Sequence, residues 1–231
     1  MGTGRTRMTV LTGALAALAA VVALDAAAGA GTREVCRNRT GTRDGFFYTF
    51  WKDAGTACMT LGRGGSYSLE YDLHPGNLVA GTGWRIGSAT RRVGYRAATF
   101  EPGSNSYLAL YGWSTGPLVE YYVVDNWGSG FTPPGEGAAA LGTIETDGGT
   151  YRIYRTRRVD KPSIRGTATF DQFWSVRTAR RPIGTNQAIT FTNHVEAWRR
   201  HGMELGSMDY QVLATEGYGS TGKSSISVWE E

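Results

Sequence analysis

Glycine and proline interrupt this chain so often that few segments between them could sustain a helix. Its 231 residues include 33 Gly and 7 Pro, and the stretches they bound are short, alternating and rich in aromatic and β-branched residues. Phe46-Phe47-Tyr48-Thr49-Phe50-Trp51, Tyr107-Leu108-Ala109-Leu110-Tyr111-Gly112-Trp113, Leu118-Val119-Glu120-Tyr121-Tyr122-Val123-Val124, Gln172-Phe173-Trp174-Ser175-Val176-Arg177 and Tyr210-Gln211-Val212-Leu213-Ala214-Thr215-Glu216 all read as strands. The pattern is all-β, and the strand lengths suit a two-sheet sandwich or jelly roll. One stretch departs from it. After Thr192-Asn193, Val195, Trp198 and Met203 recur at helical spacing until Gly202 supplies a stop signal, which predicts one short α-helix exposing Glu196, Arg199 and Arg200.

Residues 1–30 stand apart. Arg5 and Arg7 precede an uncharged apolar run from Val10 to Leu24 and then the small residues Ala28-Gly29-Ala30, the layout of a secretory signal peptide. That run is shorter than the roughly 20 residues a helix needs to cross a bilayer, and Thr6 splits the arginine pair, so no twin-arginine route is indicated. Residues 31–231 are expected to be a single exported domain with no second module after Val228-Trp229. The net charge is only +4, with 24 Lys and Arg scattered among 20 Asp and Glu, which excludes a nucleic-acid or membrane footprint and points to a neutral polymer as partner. Cys36 and Cys58 are the two cysteines. An even count in an exported chain favours one disulfide, stapling the first two strands, over a pair of free buried thiols. Asn38-Arg39-Thr40 is a glycosylation sequon.

Several strands carry large or polar residues on both faces. Glu120 with Tyr122, Tyr111 with Trp113, and Gln172 with Trp174 are i, i+2 pairs, so each pair points to one side of its sheet. A concave face of Trp, Tyr and Gln suits a sugar polymer, because rings stack on pyranose C–H faces while amides and phenols take the hydroxyls. The competing reading is that these rings fill a core. Glu120 sits at the centre of an apolar strand, where an unpaired carboxylate costs several kcal/mol, and Glu216 lies near the end of another. Two such glutamates are the minimum set for glycoside hydrolysis, although each alone could be a structural glutamate paired with an arginine.

The stretches PLVEYYVVDNW (117–127) and LATEGYGSTG (213–222) resemble the two active-site signatures of glycoside hydrolase family eleven, the small secreted xylanases. FFYTFWKDAG, GNLVAGTGW, YLALYGW, TDGGTYRIYRTRRVDKPSIRGTATFDQFWSVR, TFTNHVEAW and HGMELGSMDYQ follow the family in order, so the likeness covers essentially all of residues 31–231. It implies a β-jelly roll of two twisted antiparallel sheets forming a cleft, in the shape of a half-closed right hand, with one short helix. It also implies an endo-1,4-β-xylanase acting on xylan and xylo-oligosaccharides with retention, with Glu120 as nucleophile and Glu216 as general acid/base. By the same likeness Trp51, Asn77, Tyr111, Tyr122, Arg158, Gln172, Tyr210 and Tyr218 are substrate-binding positions. Pro162-Ser163-Ile164 matches the tip of a thumb hairpin, and Asn77 matches the partner of the acid/base. No cofactor or metal is implied, and a monomer is expected. Phe47, Tyr71-Asp72-Leu73-His74-Pro75 and Arg165 depart from the family pattern and bear on subsite strength.

Gly217 to Ser224 satisfies the pattern G-x-x-x-x-G-K-[ST] of a phosphate-binding loop, but Ser225-Ile226-Ser227-Val228-Trp229 reads as a strand where that loop needs a helix. His74, His194 and His201 have no metal spacing; His194 and His201 are expected to flank the helix in structural or solvent-facing roles. The alternative from another class is a non-catalytic carbohydrate-binding protein on the same jelly roll.

Overall fold

Strands account for nearly all regular structure in the computed structural model, which describes residues 1–2, 31–135 and 137–231. The signal peptide expected over residues 1–30 lies outside the described residues. Along the chain run β1 (Arg33–Val35), β2 (Arg39–Arg43), β3 (Phe46–Lys52), β4 (Thr56–Leu61), β5 (Gly65–Asp72), β6 (Asn77–Trp84), β7 (Arg92–Pro102), β8 (Ser106–Thr115) and β9 (Val119–Trp127). Then come β10 (Gly142–Thr146), β11 (Gly149–Ser163), β12 (Gly166–Arg177), β13 (Asn186–Thr190), helix α1 (Phe191–Arg200), β14 (Ser207–Tyr218) and β15 (Thr221–Glu230). Two sheets result, ordered β1-β4-β5-β15-β7-β13 and β10-β11-β12-β9-β8-β14-β6-β3-β2. This is the jelly-roll architecture expected from the strand pattern, with one refinement: β9 and β12 pair in parallel, while the other strand pairs are antiparallel.

Period-two alternation, interrupted by register shifts at Asp125 on β9 and between Met208 and Gln211 on β14, divides the central strands between two apolar layers. On β8, Leu108 and Leu110 enter the layer between the sheets, whereas Tyr107, Ala109, Tyr111 and Trp113 face away from it. On β9, Val119, Tyr121 and Val123 go inward, leaving Tyr122 and Val124 on the other face. Tyr67, Leu69, Tyr95, Ile226 and Val228 of the smaller sheet complete the inter-sheet core. The second layer is the concave face of the larger sheet, and it is the one that positions the site. Asp125 also points inward. It accepts from Tyr95 (2.7 Å) and Tyr151 (2.6 Å) and pairs with Arg181 at 3.0 Å, so that a buried carboxylate is satisfied on several sides.

Three expectations need correction. The helix begins at Phe191 and includes Thr192 and Asn193; no side chain caps it at Thr190, and Phe191 is drawn in by burial against Tyr121 and Trp198. Met203 is buried but lies beyond the helix, after the left-handed turn at Gly202. His194 does not flank the helix. It lies within it, fully buried and edge-on to Tyr151, and burial holds its pKa down at about 3, so it is neutral. Cys36 and Cys58 are bonded, but the bond ties the end of β1 to β4, because β2 and β3 belong to the other sheet. The segment from Gly217 to Ser224 runs from the end of β14 through the turn at Gly219-Ser220 into β15, with a strand and not a helix after Lys223.

Candidate active site

Register brings the polar residues of the concave face together. Strand β8 lies between β9 and β14, with Tyr111 opposite Tyr122, Trp113 opposite Glu120, and Tyr107 opposite Glu216. On the far side of β9, the parallel pairing sets Gln172 opposite Glu120 and Trp174 opposite Tyr122, whose rings stack with centroids 3.8 Å apart. Glu120 and Glu216 line one cavity of about 310 Å³. Trp51, Asn77, Tyr111, Tyr122, Arg158, Pro162, Gln172 and Tyr210 line it too, so the structure gathers these sequence-derived positions into one place. Tyr218 is the exception: at the end of β14 it is 64% exposed and outside the lining.

Hydrogen bonds around Glu120 run in one direction. Its Oε1 accepts from the Tyr111 hydroxyl at 2.8 Å and its Oε2 from Gln172 Nε2 at 2.7 Å. The Trp113 indole N–H donates to the Tyr111 oxygen (2.7 Å), and an indole can only donate, so the tyrosine proton is left for Glu120. The Trp174 indole likewise donates to Thr156 (3.1 Å), whose hydroxyl donates to Gln172 Oε1 (3.0 Å), turning the amide nitrogen toward Glu120. Both chains end on a carboxylate that only accepts, which favours its ionised form. Burial pushes Glu120 upward, and the Gln172 and Tyr111 bonds oppose it.

Glu216 has the contrasting environment. Its Oε2 is buried without a hydrogen-bond partner. Burial first, and the negative Glu120 second, push its pKa up to about 8, against weaker downward pulls from Tyr107, Arg158 and Tyr122. Burial also raises Tyr107, Tyr111 and Tyr122 well above the usual phenol value, so all three remain neutral donors. One carboxyl is thus held as an acceptor and the other as an acid, the division of labour that environment imposes on paired catalytic carboxyls. Asn77 lines the cavity, but its Oδ1 accepts from the Leu78 N–H at 3.0 Å.

Other lining residues were not singled out as binding positions from the sequence. Trp113, Thr49, Val79 and Phe170 follow from the alternation once the cleft face is known. Arg39 and Thr40 on β2 reach the cavity only because the larger sheet curls its last strand toward the β11–β12 hairpin, and no local signal marks that. Asn38, noted only as a sequon, also lines the cavity and bonds both backbone groups of Lys52 at 2.8 Å. Among the described residues, the cluster of metal-type donors Glu34, Cys36 and Cys58 has both its sulfurs in the disulfide.

Residues 43–227 match the family model described as glycosyl hydrolases family 11. The chain is 47% identical over 196 residues to the probable endo-1,4-beta-xylanase B of Aspergillus clavatus, covering 84% of this chain and 85% of that protein. It is 51% identical over 190 residues to ethylene-inducing xylanase 1 of Botryotinia fuckeliana (82% and 65% covered) and 48% identical over 193 residues to endo-1,4-beta-xylanase 11B of Humicola insolens (83% and 64%). The chain therefore spans less than two-thirds of the length of these last two relatives.

Proposed function

We propose, from the premise that this chain belongs to glycosyl hydrolase family 11, that it is an exported endo-1,4-β-xylanase that cleaves internal bonds of xylan with retention of configuration. The observation that supports this most is the asymmetry of the two cleft carboxyls: Glu120 receives two donors, while Glu216 has an unpartnered oxygen and a pKa raised to about 8. In the first step Glu120 attacks the anomeric carbon as Glu216 gives its proton to the departing glycosidic oxygen, so that a glycosyl ester forms and one C–O bond breaks. Esterification removes the charge of Glu120, and with it the second-largest cause of Glu216's raised pKa. Glu216, now a carboxylate, takes a proton from water as that water attacks the same carbon, freeing Glu120 and restoring the acid. Tyr111 and Gln172 hold the nucleophile still, and Trp51, Tyr122 and Tyr210 line the cleft that takes the sugars.

Reducing-sugar release from xylan beside carboxymethylcellulose tests the reading. Wild type should act on xylan alone and Glu120→Gln on neither. Glu216→Ala should lose about 10²- to 10⁴-fold on xylan but much less on aryl xylosides with good leaving groups, which need little proton assistance. Binding to xylan with no release by wild type would instead identify a carbohydrate-binding protein, and equal losses of Glu216→Ala on both substrate types would contradict its role as acid.

A further inference from the structure

A bulge places Tyr210 in the cleft, and the same bulge ties a cation to the ring beside it. Strand β14 pairs Met208 with Ser114 and Gln211 with Gly112 on β8, so β14 carries one residue more than its partner over this stretch. The extra residue reverses the alternation. Met208 packs on the inter-sheet core, whereas Tyr210, two positions on, joins Val212 and Ala214 on the concave face. Asp209 lies between them, and its Oδ1 accepts from the Tyr210 N–H at 2.8 Å and from Arg85 Nη1 at 2.9 Å. Arg85 directly follows β6, and its guanidinium stands over the Phe47 ring, 5.5 Å from the centroid. Phe47 is continuous with the cleft without lining it. Tyr111 and Tyr210, which do line the cavity, have ring centroids 5.9 Å apart, and Tyr210 and Phe47 are 5.3 Å apart, so three rings run out of the cavity in a row. Phe47 has no hydroxyl to hydrogen-bond a sugar and can offer only a ring face. That face lies under Arg85, and Phe47 is only 4% exposed. The arginine itself is exposed, so what covers the ring is a side chain at the surface, held by one carboxylate and not packed into the core.

We propose that Arg85 is a specificity-determining residue: with Asp209 it closes the cleft at Phe47, occupying the ring face on which a further xylose unit would rest, and so limits how many sugar units the cleft holds beyond Tyr210. The inference rests on the xylanase reading above and concerns the length of substrate that the same cleft takes. A planar guanidinium suits this task, because it can lie on an aromatic face while its edge hydrogen-bonds a carboxylate. Asp209 fixes the cap relative to the cleft, since the oxygen that holds Arg85 is also anchored by the backbone of Tyr210.

The test compares kcat/KM on xylohexaose with that on xylotetraose, and the bond cleaved in end-labelled xylohexaose, for wild type, Arg85→Ala and Arg85→Ala/Phe47→Leu. Uncovering the ring adds a stacking surface that only the longer substrate can use in full. The hexaose-to-tetraose ratio should therefore rise roughly three- to tenfold in Arg85→Ala, with the main cleavage point displaced by one unit. Both changes should vanish when Phe47 is also replaced. A ratio and cleavage point unchanged in Arg85→Ala would overturn the closure while leaving the xylanase reading intact. A fall in the ratio would overturn it too, by showing that Arg85 itself holds a sugar, and so would a gain that survives Phe47→Leu. If wild type cleaves neither oligosaccharide, the xylanase reading fails. Calorimetry of xylohexaose binding then decides the closure separately: tighter binding by Arg85→Ala than by wild type supports it, and equal or weaker binding overturns it.

Discussion

Glu216 keeps an unpartnered oxygen in a site shared with a second carboxyl, an arrangement that suits an acid catalyst and destabilises the fold whenever the group ionises. Its pKa in the folded protein is about 8, above the ordinary 4.5, so between those values the folded state holds more protons than the unfolded state. Stability linked to this group is therefore fully present below the lower value and is lost as pH rises through the upper one. Glu216→Gln, neutral at every pH, should raise the melting temperature clearly at about pH 9 and little at about pH 5. The same difference at both values, measured by calorimetry, would mean that the carboxyl is not held above its usual range. Glu120 and Glu216 stood out in sequence because a carboxylate within an apolar strand is conspicuous, and the roles proposed for them rest on the family likeness. What surrounds Glu120 was less legible. That Trp113 orders Tyr111, and that Trp174 and Thr156 order Gln172, depends on cross-strand register, which no single segment encodes.

At the scale of elements, α1 is held by its buried face and not by its ends. Trp198 is fully buried among Phe191, Phe173 and Tyr121, and its indole donates to the Trp174 carbonyl at 3.3 Å. Trp198→Ala should therefore cost about 3–5 kcal/mol in urea unfolding, with Trp198→Phe losing distinctly less; a loss below about 1 kcal/mol for the alanine would show that the helix contributes little to the core. Val195, Trp198 and Gly202 revealed this helix in the sequence, yet its start was misplaced, because Phe191 joins through tertiary contact and not through a capping residue. The parallel pairing of β9 with β12 escaped for a related reason. Alternation reports which face a residue occupies, but not which strand lies beside it, and here the two neighbours are separated by the whole β10–β11 excursion.

Across the whole molecule the two sheets have different tasks. The larger sheet holds every cleft carboxyl and aromatic discussed above, while the smaller one backs it through the inter-sheet core. The Cys36–Cys58 bond lies wholly within the smaller sheet's side of the structure, where it fixes the three-residue edge strand β1 to β4 across a separation of 22 residues. Closing a loop of that length restricts the unfolded chain by about 3 kcal/mol. For a chain of this size that corresponds to a fall of roughly 6–12 °C in melting temperature in Cys36→Ser/Cys58→Ser. Because neither cysteine reaches the cleft, kcat well below the melting transition should stay at the wild-type value. Thermal melts paired with initial rates at room temperature separate the two effects. A variant that melts early but turns over normally places the bond in the stability of the backing sheet alone, whereas a loss of rate at a temperature where the fold persists would mean that β1 and β4 help to set the curvature that brings β2 to the thumb.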